Sequence, residues 1–456
     1  MSDSGDAKLR VAIVGSGPAG SYAAGHLLRH TANELHVDLY ERLPTPWGLV
    51  RAGVAPDHPK IKSVTNLYER TAEHPRLRLF ANVEFGRHVT LADLRRHYHA
   101  IVYAVGTPID RAMGIPGEDL AGSYAATDFV GWYNGHPDFR DHSFDLSGER
   151  AVVIGAGNVA LDVARMLVLT RAELAVTDIA DHALEVLANS GVREVVVVAR
   201  RGPAQAAFTN PELRELGELS DADVSVGADE LALGEAVADL GADPTALRNV
   251  EILREYSMRL PQGRSRLVSL RFLLSPLELS GSGGRVESVT LARNALEPAA
   301  DGSLRSRATG ERLELAAQAV FRAIGYRGTP LADVPFDAER ELIANVKGRV
   351  RRGEYVVGWA KRGPSGVIGT NKKDANETVE GLLEDLAAGL LLHPEPISDA
   401  ALEQFVRERQ PQLVDYGDWL TIDGRERALG EPAGRPRVKL TRVAELLDAI
   451  GWGGDD

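Results

Sequence analysis

A glycine spacing that follows an apolar strand occurs twice in this chain, and it restricts the fold more than any other feature. The first instance is Gly15-x-Gly17-x-x-Gly20 and the second is Gly155-x-Gly157-x-x-Ala160. Leu9–Val14 (LRVAIV) and Arg150–Ile154 (RAVVI) precede them as apolar runs of the kind buried on both faces of a parallel sheet. Residues 21–30 and 158–169 follow with helical patterning, and residues 35–40 and 194–199 read as the next strands. Each loop thus opens a βαβ unit whose small residues let helix N-terminal N–H groups approach a pyrophosphate. The expected fold class is α/β, with two Rossmann-like dinucleotide-binding domains.

The residues closing the two units carry opposite charge. Glu41 lies about 20 residues past the last motif glycine, the spacing of a ribose contact. A carboxylate accepts hydrogen bonds from a free ribose diol and repels a 2′-phosphate, whereas Arg200 and Arg201, directly after the second unit's second strand, attract one. One chain is therefore expected to hold a non-phosphorylated dinucleotide together with NADPH, the apparatus of a flavin-linked electron transfer. FAD and NAD share an ADP half, so Glu41 alone leaves the first ligand open between them. Two charge-assisted hydrogen bonds at about 1.5–3 kcal/mol each predict a roughly hundred- to ten-thousandfold preference for NADPH over NADH.

Residues 100–106 (AIVYAVG) and 320–325 (VFRAIG) are apolar strands ending in glycine, placed before and after the second nucleotide unit. They read as two crossings between domains, with the NADPH domain inserted into the FAD domain. The expected division is 1–108 for the first segment of the FAD domain, 109–325 for the NADPH domain, and 326–456 for the second FAD segment with C-terminal helices. Within the insertion, 267–279 and 286–293 alternate as strands, with turns at 281–284 and at Asp301-Gly302. An extra helical segment at 172–191 carries no recognisable chemistry. The tail, helical at 402–409 and 443–450, is expected to pack on the first domain.

Composition removes several classes of function. The 456 residues include no cysteine, so the chain can neither relay electrons through a thiol pair nor hold an iron–sulfur cluster by itself. No metal site is expected. A net charge of −13 argues against general nucleic-acid affinity. Residues 1–10 lack the apolar stretch and cleavage site of a secretory signal, and no apolar run approaches a membrane span. A cytoplasmic enzyme with no membrane insertion is expected.

Three further stretches are too specific to be scaffold alone. They are Pro46-Trp47-Gly48-Leu49-Val50-Arg51 running on through Pro56-Asp57-His58-Pro59, then Arg200-Arg201-Gly202-Pro203 continuing to Phe208, Glu212 and Glu215, and Val357-Gly358-Trp359 with Gly363 to Ile368 and Thr370-Asn371. With both glycine loops they closely resemble the adrenodoxin reductase family of NADPH–ferredoxin reductases, its bacterial members in particular. The resemblance runs from about Val11 to the stretch Pro436-Arg437-Val438-Lys439-Leu440.

The resemblance implies FAD at the first loop, contacted by Gly15, Gly17, Ala19, Gly20, Glu41, Leu49, Val83, Trp359 and the Gly366-Val367-Ile368 turn. Trp359 stands where most two-dinucleotide flavoproteins carry an aspartate. NADPH is implied along Arg111, Ala156, Gly157, Asn158, Val159, Arg200, Arg201, Glu212 and Gly366. Glu212 either holds the nicotinamide end, orients an arginine, or is an ordinary helix-surface acid. His58 is implied near the flavin with Glu215 as a partner, positioning the ring or passing a proton. Asp162 either joins them or pairs with Arg165 at helical spacing.

The implied activity is NADPH:ferredoxin oxidoreductase: a hydride passes from NADPH to FAD, and single electrons then go to an acidic ferredoxin that feeds a P450 or another acceptor. Lys60, Lys62, Lys361, Arg362, Lys372 and Lys373 are candidates for its basic landing site, and the protein is expected to be a monomer. A flavin monooxygenase and a non-catalytic NADPH sensor are the rival readings.

Overall fold

Side-chain alternation within the strands decides the layers. In Leu9–Val14, Val11 and Ile13 enter the core on one face of a sheet, while Ala12 and Val14 enter the core on the other. A strand with no polar face has to be central. The structure, a computed structural model, describes residues 8–30, 34–228, 230–231, 243–299, 304–366 and 368–452. It divides into two units: Met1–Val54, His58–Ile109 and Tyr326–Asp456 form the first, and Ala55–Asp57 with Asp110–Gly325 form the second.

The first unit holds a six-stranded sheet in the order Arg349–Arg351, Glu354–Val356, Ala100–Tyr103, Leu9–Val14, Leu35–Tyr40, Leu77–Phe80. All neighbours run parallel except the edge strand Arg349–Arg351. The helix after the glycine loop spans Pro18–Leu28, earlier than the sequence pattern suggests, because Pro18 at its first turn fixes a helical φ. It packs against Ile368–Ala387.

The second unit holds another six-stranded sheet, all parallel, in the order Ser123–Ala125, Ala319–Arg322, Arg150–Ile154, Glu194–Val198, Arg266–Arg271, Ala222–Val226. Val195 and Val197 point into a core lined by helices such as Asn158–Val168, while Val196 and Val198 point the other way. That second face is covered by a three-stranded antiparallel sheet of Leu274–Ser280, Ser288–Pro298 and Leu304–Ala316, which supplies Leu274, Leu279, Val289 and Leu291. The strands expected at 267–279 are two strands separated by a turn at Leu273, which adopts φ +57. The expected turn at Asp301-Gly302 lies outside the described residues. The segment 172–191 contains Asp181–Ala188, with His182 Nε2 3.0 Å from the Trp132 carbonyl oxygen, a structural contact.

The tail forms Asp399–Arg409, Tyr416–Gly430 and Val443–Asp448. The middle helix, which the sequence reading did not anticipate, buries Glu426 completely. Arg51 clasps that carboxylate with two bonds of 2.9 and 2.5 Å, Arg437 adds one at 3.2 Å, and Leu440 N–H donates at 2.9 Å. Arg51 also lies over the Trp419 ring. The tail is thereby fastened to the Trp47–Arg51 turn, where Trp47 holds the left-handed φ of +79. A buried carboxylate between two guanidiniums is tolerable only while its lone pairs are filled. Glu426→Ala should therefore cost about 3–5 kcal/mol in urea unfolding, whereas Glu403→Ala, in an exposed pair with Arg407, should cost under about 0.5 kcal/mol.

Candidate functional site

At the first glycine loop, Gly15 takes φ +108, and a Cβ there would lie 2.5 Å from the Ala104 carbonyl oxygen. The turn closes by Gly15 N–H donating to Tyr40 O at 2.8 Å. Gly17 is the N-cap of Pro18–Leu28 and meets Gly48, whose own Cβ would come 2.9 Å from Gly17 Cα. Glu41 reaches back to this loop. Its Oε2 accepts from Ser16 N–H at 3.2 Å and Ser16 Oγ at 2.6 Å, and its Oε1 accepts from Leu43 N–H at 3.1 Å. Two donors on Oε2 and one on Oε1 leave a lone pair on Oε1 for a ribose hydroxyl. The Glu41 main chain is bracketed by Phe80 O and by Val83 N–H, which fixes Val83 in the core. Ser16 is a site residue that motif spacing missed, since its role shows only once the carboxylate folds back.

Trp359 opens the short helix Trp359–Arg362, and its Nε1 is buried without a partner among the described residues. The ring packs on Tyr326 with centroids 5.4 Å apart. Asp374, which no motif flagged, accepts from Gly358 N–H at 2.6 Å and so sets this turn. Ala19 lies directly against Gly358. Leu49 is exposed, as is Gly366 with φ +78, and Ile368 begins the long helix. Val367 lies outside the described residues. An indole donor unpaired among the described residues, a small-residue loop and a carboxylate with one lone pair free fit an adenine dinucleotide of the flavin kind.

At the second loop, Gly155 takes φ +148 and a Cβ there would overlap the Ala323 carbonyl oxygen. Gly157, the N-cap of Asn158–Val168, has nothing within 4 Å of where a Cβ would sit. Ala207 N–H donates to Ala156 O at 2.7 Å, and Thr209 N–H donates to Asn158 Oδ1 at 2.8 Å. These two bonds hang the segment after Arg201 beside the loop, with Val159 half-buried below it. Arg200 and Arg201 are both exposed, and neither guanidinium has a partner among the described residues. Glu212 Oε2 is buried without one. Arg111 N–H donates to Gly325 O at 3.0 Å. Open space over a helix N-terminus, two unspent guanidiniums and an orphaned carboxylate oxygen fit a phosphorylated dinucleotide.

The acids suggested for the reaction converge on one guanidinium. Arg165 is 2 % exposed and donates to Asp57 at 2.8 Å and to Glu215 at 2.6 Å, with Asp162 at 3.3 Å. Burial alone would lower the Arg165 pKa, but Asp162, Asp57 and Glu215 outweigh it and raise it instead. Asp162 thus makes the helical-spacing pair. His58 is buried and caps Pro59–Lys62, its carbonyl accepting from Ile61 and Lys62 N–H.

Two of the basic landing-site candidates require correction. Lys361 is buried, with its ammonium bonded to Glu377 at 2.6 Å and Thr378 at 3.0 Å and 3.1 Å from Asp374. Arg362 donates to Asn371 Oδ1 and to the carbonyls of Gly363 and Ser365. Both are internal fastenings, because carboxylates on the long helix claim Lys361 while an amide oxygen and two carbonyls claim Arg362. Lys60, Lys372 and Lys373 are exposed and Lys62 is half-buried.

Residues 9–212 match the family model described as pyridine nucleotide-disulphide oxidoreductase. The chain is 52% identical over 453 residues to NADPH-ferredoxin reductase FprA of Mycobacterium leprae, covering 97% of this chain and 98% of that one. It is 43% identical over 451 residues to the mitochondrial NADPH:adrenodoxin oxidoreductase of Salvelinus fontinalis, covering 96% and 90%. Its structure matches that of Mycobacterium tuberculosis FprA in complex with NADPH with a TM-score of 0.93 at 51% identity, covering 97% of this chain and 99% of that one. No helix among the described residues is long and apolar enough to cross a membrane.

The two glycines of the second loop should separate folding from binding. Gly155→Ala should lower the unfolding free energy by about 2 kcal/mol or more, because a positive φ and a backbone carbonyl both oppose the methyl group. Gly157→Ala should stay within about 1 kcal/mol of wild type. Calorimetric titration with NADP+ should nevertheless find its affinity reduced about tenfold or more, since the methyl group enters the space of the pyrophosphate.

Proposed function

The chain belongs to the NADPH–ferredoxin reductase family, and on that footing we propose that it is an NADPH:ferredoxin oxidoreductase with FAD at the first glycine loop and NADPH at the second. The observation that carries this reading is the pairing of a carboxylate, Glu41, at one loop with two partnerless guanidiniums, Arg200 and Arg201, at the other. FAD, when bound, supplies the conversion of a two-electron donor into single-electron deliveries.

The chain's own residues bind and orient. N–H groups at the start of Pro18–Leu28 face the first pyrophosphate, and Glu41 accepts from a ribose hydroxyl with the Oε1 lone pair that Leu43 leaves free. Leu49 and Val83 form apolar walls, Trp359 Nε1 donates to the flavin, and the Gly366 turn presents main-chain N–H groups. At the second loop, Asn158–Val168 faces the other pyrophosphate along Ala156, Gly157 and Asn158, while Arg111 and Glu212 hold the nicotinamide end. Burial of the Glu212 oxygen without a donor favours a bound amide or hydroxyl over a plain surface acid. Arg165 holds Asp57, Asp162 and Glu215 together, and His58, the residue after Asp57, positions the ring or passes a proton.

In this reading the electron acceptor is an acidic ferredoxin, as the activity named for its relatives suggests; the chain, without cysteine, holds no iron–sulfur cluster on thiolates of its own. Lys60, Lys372 and Lys373 are the exposed cations that remain for its landing site. The protein acts as a cytoplasmic monomer in this reading. Ferredoxin reduction with NADPH, followed by stopped flow, should slow as salt rises; a rate indifferent to salt overturns the basic landing site. The Arg200→Ala/Arg201→Ala double variant should lose about a hundred- to ten-thousandfold in kcat/KM for NADPH, with NADH altered by less than about threefold.

A further inference from the structure

Asn294 is 5 % exposed and lies on the antiparallel sheet, far in sequence from either glycine loop. Its Nδ2 donates to the Arg200 carbonyl at 2.9 Å and to Ser275 Oγ at 2.7 Å, and its own N–H donates to Leu273 O at 2.8 Å. The neighbouring carbonyls are held by the same layer. Leu274 N–H donates to Ala199 O at 3.0 Å, and Leu273 N–H donates to Arg201 O at 3.2 Å. The Ala199 and Arg200 carbonyls are thus fixed to the antiparallel sheet and the Arg201 carbonyl to the turn that precedes it, while neither guanidinium has a partner among the described residues.

The sheet is irregular where this grip is made. Pairing between Ser288–Pro298 and Leu304–Ala316 jumps from Ala292↔Arg312 to Asn294↔Ala308, so Thr309, Gly310 and Glu311 stand opposite Arg293 alone. Thr309 Oγ1 donates to Arg293 O at 3.1 Å and closes the bulge. A bulge of this kind re-aims the side chain that follows it. Glu230, itself buried, accepts from Arg271 Nε at 2.7 Å and Phe272 N–H at 2.8 Å, and so steadies the turn at Leu273.

We infer that Asn294 is a specificity-determining positioning residue: through the Arg200 carbonyl it holds Arg200 in place for the 2′-phosphate of NADPH. The inference rests on the reading of Arg200 and Arg201 as the 2′-phosphate site. A guanidinium on a fixed main chain loses less freedom on capturing an anion than one on a loose loop. No adenine or ribose contact is assigned to Asn294, so its influence falls on the phosphate alone.

Calorimetric titration of the FAD-loaded enzyme with adenosine 2′,5′-bisphosphate and with 5′-AMP tests this. Asn294→Ala should weaken the bisphosphate about tenfold and leave 5′-AMP within about twofold. In an Arg200→Ala background the same substitution should add no further loss of bisphosphate affinity. Asn294→Leu, near-isosteric and uncharged but without the donor, gives the same comparison if the alanine variant does not fold. Equal weakening of both ligands, an undiminished bisphosphate affinity, or full additivity with Arg200→Ala would overturn the role of Asn294. If Arg200→Ala by itself left bisphosphate binding unchanged, the underlying reading of the arginine pair would fall instead.

Discussion

A main-chain carbonyl leaves no room for a side chain at the end of the first strand in each unit, and the rest of both sites depends on that crowding. Ala104 O stands against Gly15 and Ala323 O against Gly155. With glycine there, the chain turns tightly enough to start a helix over the end of the sheet. Each helix then aims its unsatisfied N–H groups at the same place, where the dipole and the donors both favour an anion. What differs between the units is what stands around the anion. In the first unit Glu41 folds back onto Ser16, and in the second unit Arg200 and Arg201 remain without a partner among the described residues. The same backbone device therefore serves two ligands, distinguished by side chains outside the turn.

Much of this was legible in the sequence because it is local. Leu9–Val14 has no polar face, and a strand covered on both sides can only be central in a parallel sheet. The glycine spacing, Glu41 and the arginine pair follow the same short-range logic. What was not legible depends on residues that are distant in sequence. Arg51 and Glu426 lie 375 positions apart, and neither reads as buried until the pair is seen. Lys361 reads as a surface cation because its partners Glu377 and Thr378 sit a helix away. Asp374 and Ser16 carry no motif of their own, since each acts by accepting or donating to a backbone or carboxylate that motif spacing does not locate.

Electrostatics also changed meaning once partners were visible. Six cations suggested by position include two, Lys361 and Arg362, that tie the Trp359 turn to the long helix behind it. The acids named for proton handling are likewise committed to Arg165, whose burial would be costly without them.

The interruption of the first unit by the second has a consequence for synthesis. The inserted sheet uses strands between Ser123 and Arg322 alone, so it can close once that stretch has emerged from the ribosome. The host sheet cannot. Its strand Ala100–Tyr103 waits for Glu354–Val356, and Arg51 waits for Glu426, 375 positions later. Until then the apolar face destined for Tyr355 and Val356 is bare, and the nascent host half is the aggregation-prone species that chaperones would have to shield.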